Sequence, residues 1–290
     1  MHRRAAVVVS GGGSISPFTT PDRACGVGLA AGGTDTALRA ALLDAGITTF
    51  TAPATVGPGQ AVEDPGWGGF AEPPAVLPAD MTINSVGDVE DSAACLARLL
   101  GHLHGEYGVG EVDIVAHSLG GIIARSAHMQ MQASAARVRI ISLTSIGTPW
   151  LGSFVRHYDL EDMPMPEPVA SYAYSLMGAM RRGRQLVAAK GTAPIWAAGK
   201  EHGLDGLALT RIAGTFFEGE GEPYPHDGMG SRTSALAVGA DPVVFPPATC
   251  HEVPDVHSIY FARVMDLDWE RSITWDPQVM DLVVAAIARV

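Results

Sequence analysis

The residue best placed for chemistry in this chain of 290 residues is Ser118. A short apolar, β-branched run at residues 112–115 precedes it, and residues 119–125 can continue as a helix. This pattern predicts a buried parallel strand, a sharp turn and a helix. A serine hydroxyl is a weak nucleophile that must project clear of the backbone and reach a base. A serine on such a turn is therefore suited to attack a carbonyl carbon.

The neighbours of Ser118 agree with a strained turn. Ala116 and Gly120, two residues before and after it, are small, as such a turn requires. The amide of Leu119 would lie at the helix N-terminus, where N–H groups and the helix dipole favour a developing oxyanion. The alternative is that Ser118 only caps the helix, since serine is a favoured N-cap.

Two stretches resemble a known family. AHSLGG, at residues 116–121, resembles the nucleophile elbow of the α/β-hydrolase superfamily, specifically its lipase-like branch. Ala116 departs from the usual G-x-S-x-G by one methyl group. GTPWLGS, at residues 147–153, is similar to a turn found after the next strand in many lipases. The resemblance implies a serine hydrolase that cleaves carboxylic esters of hydrophobic acyl groups.

The chain also has the alternation of strands and helices that an α/β fold requires. Helices are predicted at residues 34–45, 88–104, after Ser118, at 231–238 and at 276–290, and strands at residues 5–9, 47–53, 112–115, 138–146, 207–217 and 243–245. We therefore expect a single α/β-hydrolase domain over residues 1–290. Its central, mostly parallel sheet would have about six strands flanked by helices.

Residues 153–205 interrupt this alternation and are rich in methionine and aromatic side chains. The resemblance implies a helical cap or lid here, and the alternative is an ordinary crossover helix. Trp67 and Phe70, in a Pro- and Gly-rich stretch, could form part of a substrate wall, although such aromatics more often pin a loop down.

Composition excludes several other classes of protein. The 47% of hydrophobic residues suffices for a large core, and the net charge of −12 argues against binding nucleic acid or anionic membrane surfaces. No apolar run is long enough for a transmembrane helix, and the N-terminal run is too short for a signal peptide. We expect a cytoplasmic location, or secretion if the sequence has been trimmed. Nothing in the sequence indicates the oligomeric state.

The three cysteines have no metal-type spacing. Two of them could pair, but the simpler interpretation is that they are small buried hydrophobic residues. They are Cys25, Cys95 and Cys250.

A glycine loop follows the first predicted strand, at residues 10–14. Glycines after a strand indicate unusual backbone angles or a close approach to a ligand. The resemblance assigns the second oxyanion donor to the amide of Gly12, with Gly13 as the neighbouring option. The alternative is a flexible glycine loop.

The resemblance further requires an acid and then a histidine after the serine. Asp227 is the best acid, because it follows the strand at 207–217 and precedes a glycine. It could instead only form an Asp-Gly turn. One of three nearer glutamates could serve in its place, and two aspartates are less favourable because of their positions. These are Glu218, Glu220 and Glu222, and Asp205 and Asp241.

Two histidines follow the last predicted strand, His251 and His257. His257 is favoured as the base because it precedes an apparent helix, as the family's histidine usually does. His251 is the alternative. His117, beside Ser118, is expected to point away from the base.

Neither a metal nor a cofactor is expected. The expected partner is a small-molecule or lipid ester. A thioesterase or acyltransferase would use the same triad, and the alternative from another class is a non-catalytic binding protein for an apolar ligand.

Overall fold

The computed structural model describes residues 3–21, 34–62, 75–134, 136–182 and 203–290. Within these residues the strands are β1 (Arg3–Val9), β2 (Thr49–Thr51), β3 (Ala54–Thr55), β4 (Ile83–Asn84), β5 (Val109–His117), β6 (Arg139–Ile146), β7 (Ala208–Gly214) and β8 (Thr249–Val253). The helices are α1 (Thr34–Asp44), α2 (Val89–Tyr107), α3 (Leu119–Ala133), α4 (Val169–Arg182), α5 (Arg232–Ala235), α6 (Ile259–Val264) and α7 (Pro277–Ala288).

Six of these strands form one parallel sheet in the order β2-β1-β5-β6-β7-β8, which confirms the predicted α/β fold. β3 and β4 pair separately. Because the strands are parallel, the carboxyl ends of β1, β5, β7 and β8 meet at one edge. Ligand sites of open α/β sheets lie outside this edge, and the predicted site residues lie in the segments that follow these strand ends.

Helices cover both faces of the sheet, which explains the apolar strands. Alternate residues of a strand point to opposite faces. In β1, Ala5, Val7 and Val9 pack with residues of α2 and α3, whereas Ala6 and Val8 pack with residues of α1 and α7. Burying apolar surface contributes about 25 cal/mol per Å², so a sheet buried on both faces gives the site a rigid base.

The last strand differs from the prediction. Residues 243–245 lie in a turn instead, where the Asp241 carboxylate accepts a hydrogen bond from Val243 N at 2.9 Å and the Asp241 carbonyl accepts one from Phe245 N at 2.8 Å. The edge strand is β8, most of whose side chains are exposed or half-buried. An edge strand of this kind lacks the apolar run that marks a central strand.

Cys250, in β8, is exposed and not a small buried hydrophobic residue, so that prediction was wrong for it. Cys95 is half-buried, and both thiols are free. The predictions made for Cys25, Trp67, Phe70 and the later part of the cap, residues 183–202, lie outside the described residues. Among the helices that the structure describes, none combines the length and the apolar character needed to cross a bilayer.

Candidate active site

Ser118 lies on the predicted sharp turn, between the end of β5 and the first residue of α3. Its backbone angles are φ 53° and ψ −127°, a strained combination for a residue with a side chain. The Ser118 amide donates a hydrogen bond to the Ile146 carbonyl of β6 at 2.8 Å. The hydrogen bond to the sheet therefore maintains these strained backbone angles. The strained turn then directs the hydroxyl away from the backbone.

Two glycines allow the chain to pass close to this turn. A Cβ atom on Gly120 would lie 2.6 Å from the Val9 carbonyl oxygen, and one on Gly11 would lie 2.8 Å from Ser118 Cβ. Neither position admits a side chain. The glycine loop after β1 is thus packed against the turn after β5, as the oxyanion assignment requires.

His257 connects the serine to the acid. Its Nε2 atom lies 2.9 Å from Ser118 Oγ, and its Nδ1 atom lies 2.7 Å from Asp227 Oδ2. Because a carboxylate only accepts, Nδ1–H donates to Asp227 and Nε2 is left to accept from the serine hydroxyl. The three side chains that the sequence places far apart are brought together and buried.

The Asp227 turn holds the carboxylate in place. Asp227 Oδ1 accepts hydrogen bonds from the amides of Met229 and Gly230 at 2.8 and 2.7 Å, and its carbonyl accepts one from His257 N at 2.9 Å. Burial would raise the pKa of Asp227, but the adjacent His257 and these hydrogen bonds lower it overall. The carboxylate therefore stays ionised.

The alternative acids and the alternative base lie elsewhere. His251 is within β8, paired with Ile212, and burial and the Arg289 charge lower its pKa. The five alternative carboxylates are exposed: Asp205, Glu218, Glu220, Glu222 and Asp241. Among the described acidic side chains, Asp227 is the one hydrogen-bonded to His257.

The glycine loop favours one of the two oxyanion candidates. Gly12 and Gly13 both line the same cavity as Ser118. The Gly13 amide donates to the Ser85 carbonyl at 3.1 Å and is therefore occupied. The amide of Leu119 is the first of α3, where helical N–H groups lack intrahelical partners. The geometry thus supports Gly12 and Leu119 as the donor pair.

His117 was expected to point away from the base, and this was wrong. Its ring centroid lies 4.8 Å from that of His257, and its Nε2–H donates to the His257 carbonyl oxygen at 2.9 Å. Burial and the neighbouring His257 lower the pKa of His117 to about 3. The neutral ring holds the backbone of the base, a role without a local sequence signal because the two residues are distant in the chain.

His226 is a second residue that the sequence did not single out. Its Nδ1 accepts from the Gly228 amide at 3.1 Å, and its Nε2–H donates to the Pro164 carbonyl at 3.1 Å. The Tyr224 hydroxyl donates to the same carbonyl at 2.9 Å. Burial lowers the pKa of His226 to about 4, so the ring is neutral. It ties the acid-bearing turn to the segment before α4.

A cavity of about 100 Å³ adjoins the serine hydroxyl. Helix α4 contributes two of the residues that line it. The residues that line it carry no formal charge while the histidines are neutral. They are Gly12, Gly13, Ser14, His117, Ser118, Tyr172, Leu176, Met229, His257, Ser258 and Tyr260. In the described part of the chain, histidine, cysteine and carboxylate side chains form no group of three that could hold a metal ion.

Residues 88–195 match a family model described as "Putative serine esterase (DUF676)". The match includes Ser118 and ends before Asp227 and His257. The parallel sheet, with the strained serine after β5, determines the fold, and the matched region agrees with it. The chain has the α/β-hydrolase fold.

Several solved structures with an α/β-hydrolase fold are similar to the chain at low identity. The Bacillus licheniformis lipase BlEst2 is 16% identical, with a TM-score of 0.46, over 96% of this chain and 91% of that chain. The carboxylesterase EstE1, cloned from a metagenomic library, is 13% identical, with a TM-score of 0.47, over 98% and 79%. The NocB thioesterase domain is 16% identical, with a TM-score of 0.45, over 99% and 94%. No curated protein sequence was found to match the chain.

Proposed function

We propose that this protein is a serine hydrolase that cleaves carboxylic esters of hydrophobic acyl groups. Ser118 is the nucleophile, His257 the general base and Asp227 the acid of the triad. The observation that carries the proposal is the continuous chain of hydrogen bonds from Asp227 through His257 to Ser118, with distances of 2.7 and 2.9 Å. Nucleophile and base within hydrogen-bond reach, with the base oriented by a third group, are the requirement for this chemistry.

In the first half of the reaction, Ser118 Oγ attacks the ester carbonyl carbon while His257 Nε2 takes the hydroxyl proton. Asp227 keeps Nδ1 protonated and stabilises the imidazolium that forms. The amides of Gly12 and Leu119 bind the oxyanion, and each such donor contributes about 3 kcal/mol. His257 then gives its proton to the departing alkoxide, which leaves as the alcohol.

The second half repeats these steps with water. His257 removes a proton from a water molecule, whose oxygen attacks the acyl carbon of the acyl-enzyme. The tetrahedral intermediate collapses, the acyl group leaves as a carboxylic acid, and the proton on His257 returns to Ser118 Oγ. The same base and the same oxyanion donors act in both halves.

The preference for an uncharged, hydrophobic acyl group follows from the cavity. Tyr172, Leu176 and Met229 line it together with Ser118. A charged acyl group would lose hydration there without gaining a partner. We propose that α4, which supplies the first two of these residues, is the described part of a cap over the site.

The test is covalent labelling with a small fluorophosphonate, which reacts with activated serines. We expect stoichiometric labelling of the wild type and none of Ser118→Ala, in which p-nitrophenyl ester turnover should fall by at least about 10⁴-fold. A Ser142→Ala variant is the matched control, because Ser142 is also a buried serine of this sheet. A non-catalytic binding protein would leave the wild type unlabelled, and this result would refute the proposal.

A further inference from the structure

The cavity beside Ser118 is small for a site that binds ester substrates. Pockets for drug-sized ligands have volumes of about 300–1,000 Å³, whereas this cavity has about 100 Å³. Since a water molecule needs roughly 10–15 Å³ of cavity volume, the cavity holds roughly seven to ten non-hydrogen atoms, the acyl and alcohol parts of an ester together. An acyl chain of eight carbons would extend beyond this space while α4 keeps its position.

Two residues of α4, Tyr172 and Leu176, line the cavity. Leu176 lies over the glycine loop, where its Cδ1 atom is 3.0 Å from the position of a Cβ on Gly13. Tyr172 packs edge-to-face on Phe261 of α6, with ring centroids 5.0 Å apart and an interplanar angle of 82°. Residues four apart share a helix face, so one face of α4 reaches both the oxyanion loop and the helix that follows the base.

Helix α4 is also held in place by its other contacts. Val169, Ala173 and Met177 are buried in an apolar cluster with residues of the acid turn and of α6. The Pro164 carbonyl, just before α4, accepts hydrogen bonds from Tyr224 and His226. Lifting α4 would expose these apolar side chains to water, and the two hydrogen bonds hold the segment that leads into the helix.

We propose that Tyr172 and Leu176 limit the substrate to esters of short, uncharged acyl groups of about two to four carbons. This inference rests on the proposed function and specifies its substrate. The two side chains are specificity-determining residues, since they bound the space that an acyl group attached to Ser118 would occupy.

The experiment compares kcat/KM for p-nitrophenyl acetate, butyrate and octanoate. For the wild type we expect butyrate to exceed octanoate by at least about tenfold, and Leu176→Ala should raise the octanoate-to-acetate ratio by about tenfold. Tyr174→Ala is the matched control, because Tyr174 lies on the same helix but is exposed. It should keep the wild-type ratio.

A wild type that prefers octanoate would overturn the inference, as would equal ratios for Leu176→Ala and Tyr174→Ala. If Leu176→Ala melts before it can be assayed, Leu176→Phe replaces it and should lower butyrate turnover relative to acetate by about tenfold. Fluorophosphonate labelling separates the two proposals. Labelling at Ser118 together with a preference for long acyl chains would reject only the proposed restriction to short acyl groups. A wild type that is neither labelled nor active would reject that restriction and the proposed function.

Discussion

Two buried aspartates in this protein each have a serine nearby, yet only one of them belongs to a potential catalytic site. Asp227 reaches Ser118 through the imidazole of His257. Asp113, in β5, accepts a hydrogen bond from Ser142 Oγ directly at 2.5 Å and two more from the Arg4 guanidinium at 2.6 and 2.9 Å.

The difference lies in which partner can carry a proton. A carboxylate is too weak a base to activate a serine hydroxyl, and a guanidinium stays protonated and has no lone pair to offer. An imidazole can accept a proton and return it near neutral pH. The Asp113 group can therefore only hold strands together, whereas the Asp227 group can move a proton.

Among the substitutions that this comparison suggests, we expect the largest loss of kcat at Asp227. Asp227→Asn keeps an acceptor for the amides of Met229 and Gly230 but no longer fixes the tautomer of His257. We expect kcat to fall by about 10⁴-fold with little change in melting temperature. Asp113→Asn is the control and should keep kcat within about twofold. Similar losses of kcat in both variants would remove the distinction.

Asp113 should instead affect stability. Asp113→Asn leaves the Arg4 charge without its partner, and removing one member of a buried pair costs about 3–5 kcal/mol. The Arg4 side chain is 35% exposed, so the loss should be nearer about 2 kcal/mol. Urea denaturation measures it as a lower midpoint with an unchanged slope. An unchanged midpoint would show that the pair contributes nothing to folding.

The titration of His226, next to Asp227, should also make the free energy of unfolding depend on pH. Burial holds the pKa of His226 at about 4, below its usual 6.5. Between these values the unfolded chain binds a proton that the folded chain does not, so stability is full above pH 6.5 and falls as the pH drops towards 4. From pH 7 to 5 this residue alone should cost about 2 kcal/mol.

The His226→Asn variant keeps an acceptor close to Gly228 and removes this titration. Urea unfolding at pH 7 and pH 5 should show a smaller pH-dependent loss for the variant than for the wild type. Equal losses would place the origin of the pH dependence in other groups.

The smallest change, a modest loss of kcat, is expected on substitution of His117. His117→Ala removes the hydrogen bond to the His257 carbonyl, so the base should be less well placed, and kcat should fall by about tenfold with KM unchanged. His117→Gln, which can restore a donor, should recover part of the rate. A rise in KM without a change in kcat would instead indicate that His117 contacts the substrate.

A structural feature could be predicted from the sequence when the residues that determine it are close together in the chain. The turn at Ser118 was predictable because its strain requires small neighbours within two residues, and this requirement is visible in the sequence. The turn at Asp227 is similarly local, since its carboxylate is held by amides two and three residues away. His257 was favoured over His251 because a helix follows it.

The features that the sequence did not reveal depend on distant contacts. Residues 243–245 have the composition of a strand, but the strand that pairs with β7 at the sheet edge is β8, which comes later in the chain. The contacts of His117 with His257 and of His226 with Pro164 join separate parts of the chain. No spacing rule predicts such pairs.

The pairing of β1 with β5 has a consequence for how this protein could diversify. Val9 and Ala116 are partners in the parallel ladder, so the segments that lead to Gly12 and to Leu119 start from strands about 4.8 Å apart. Backbone pairing, independent of side-chain identity, sets that spacing. We therefore expect substitutions along α4 to change the substrate range while the proposed triad and oxyanion donors keep their spacing, and directed evolution of this protein would best begin with a library restricted to that helix.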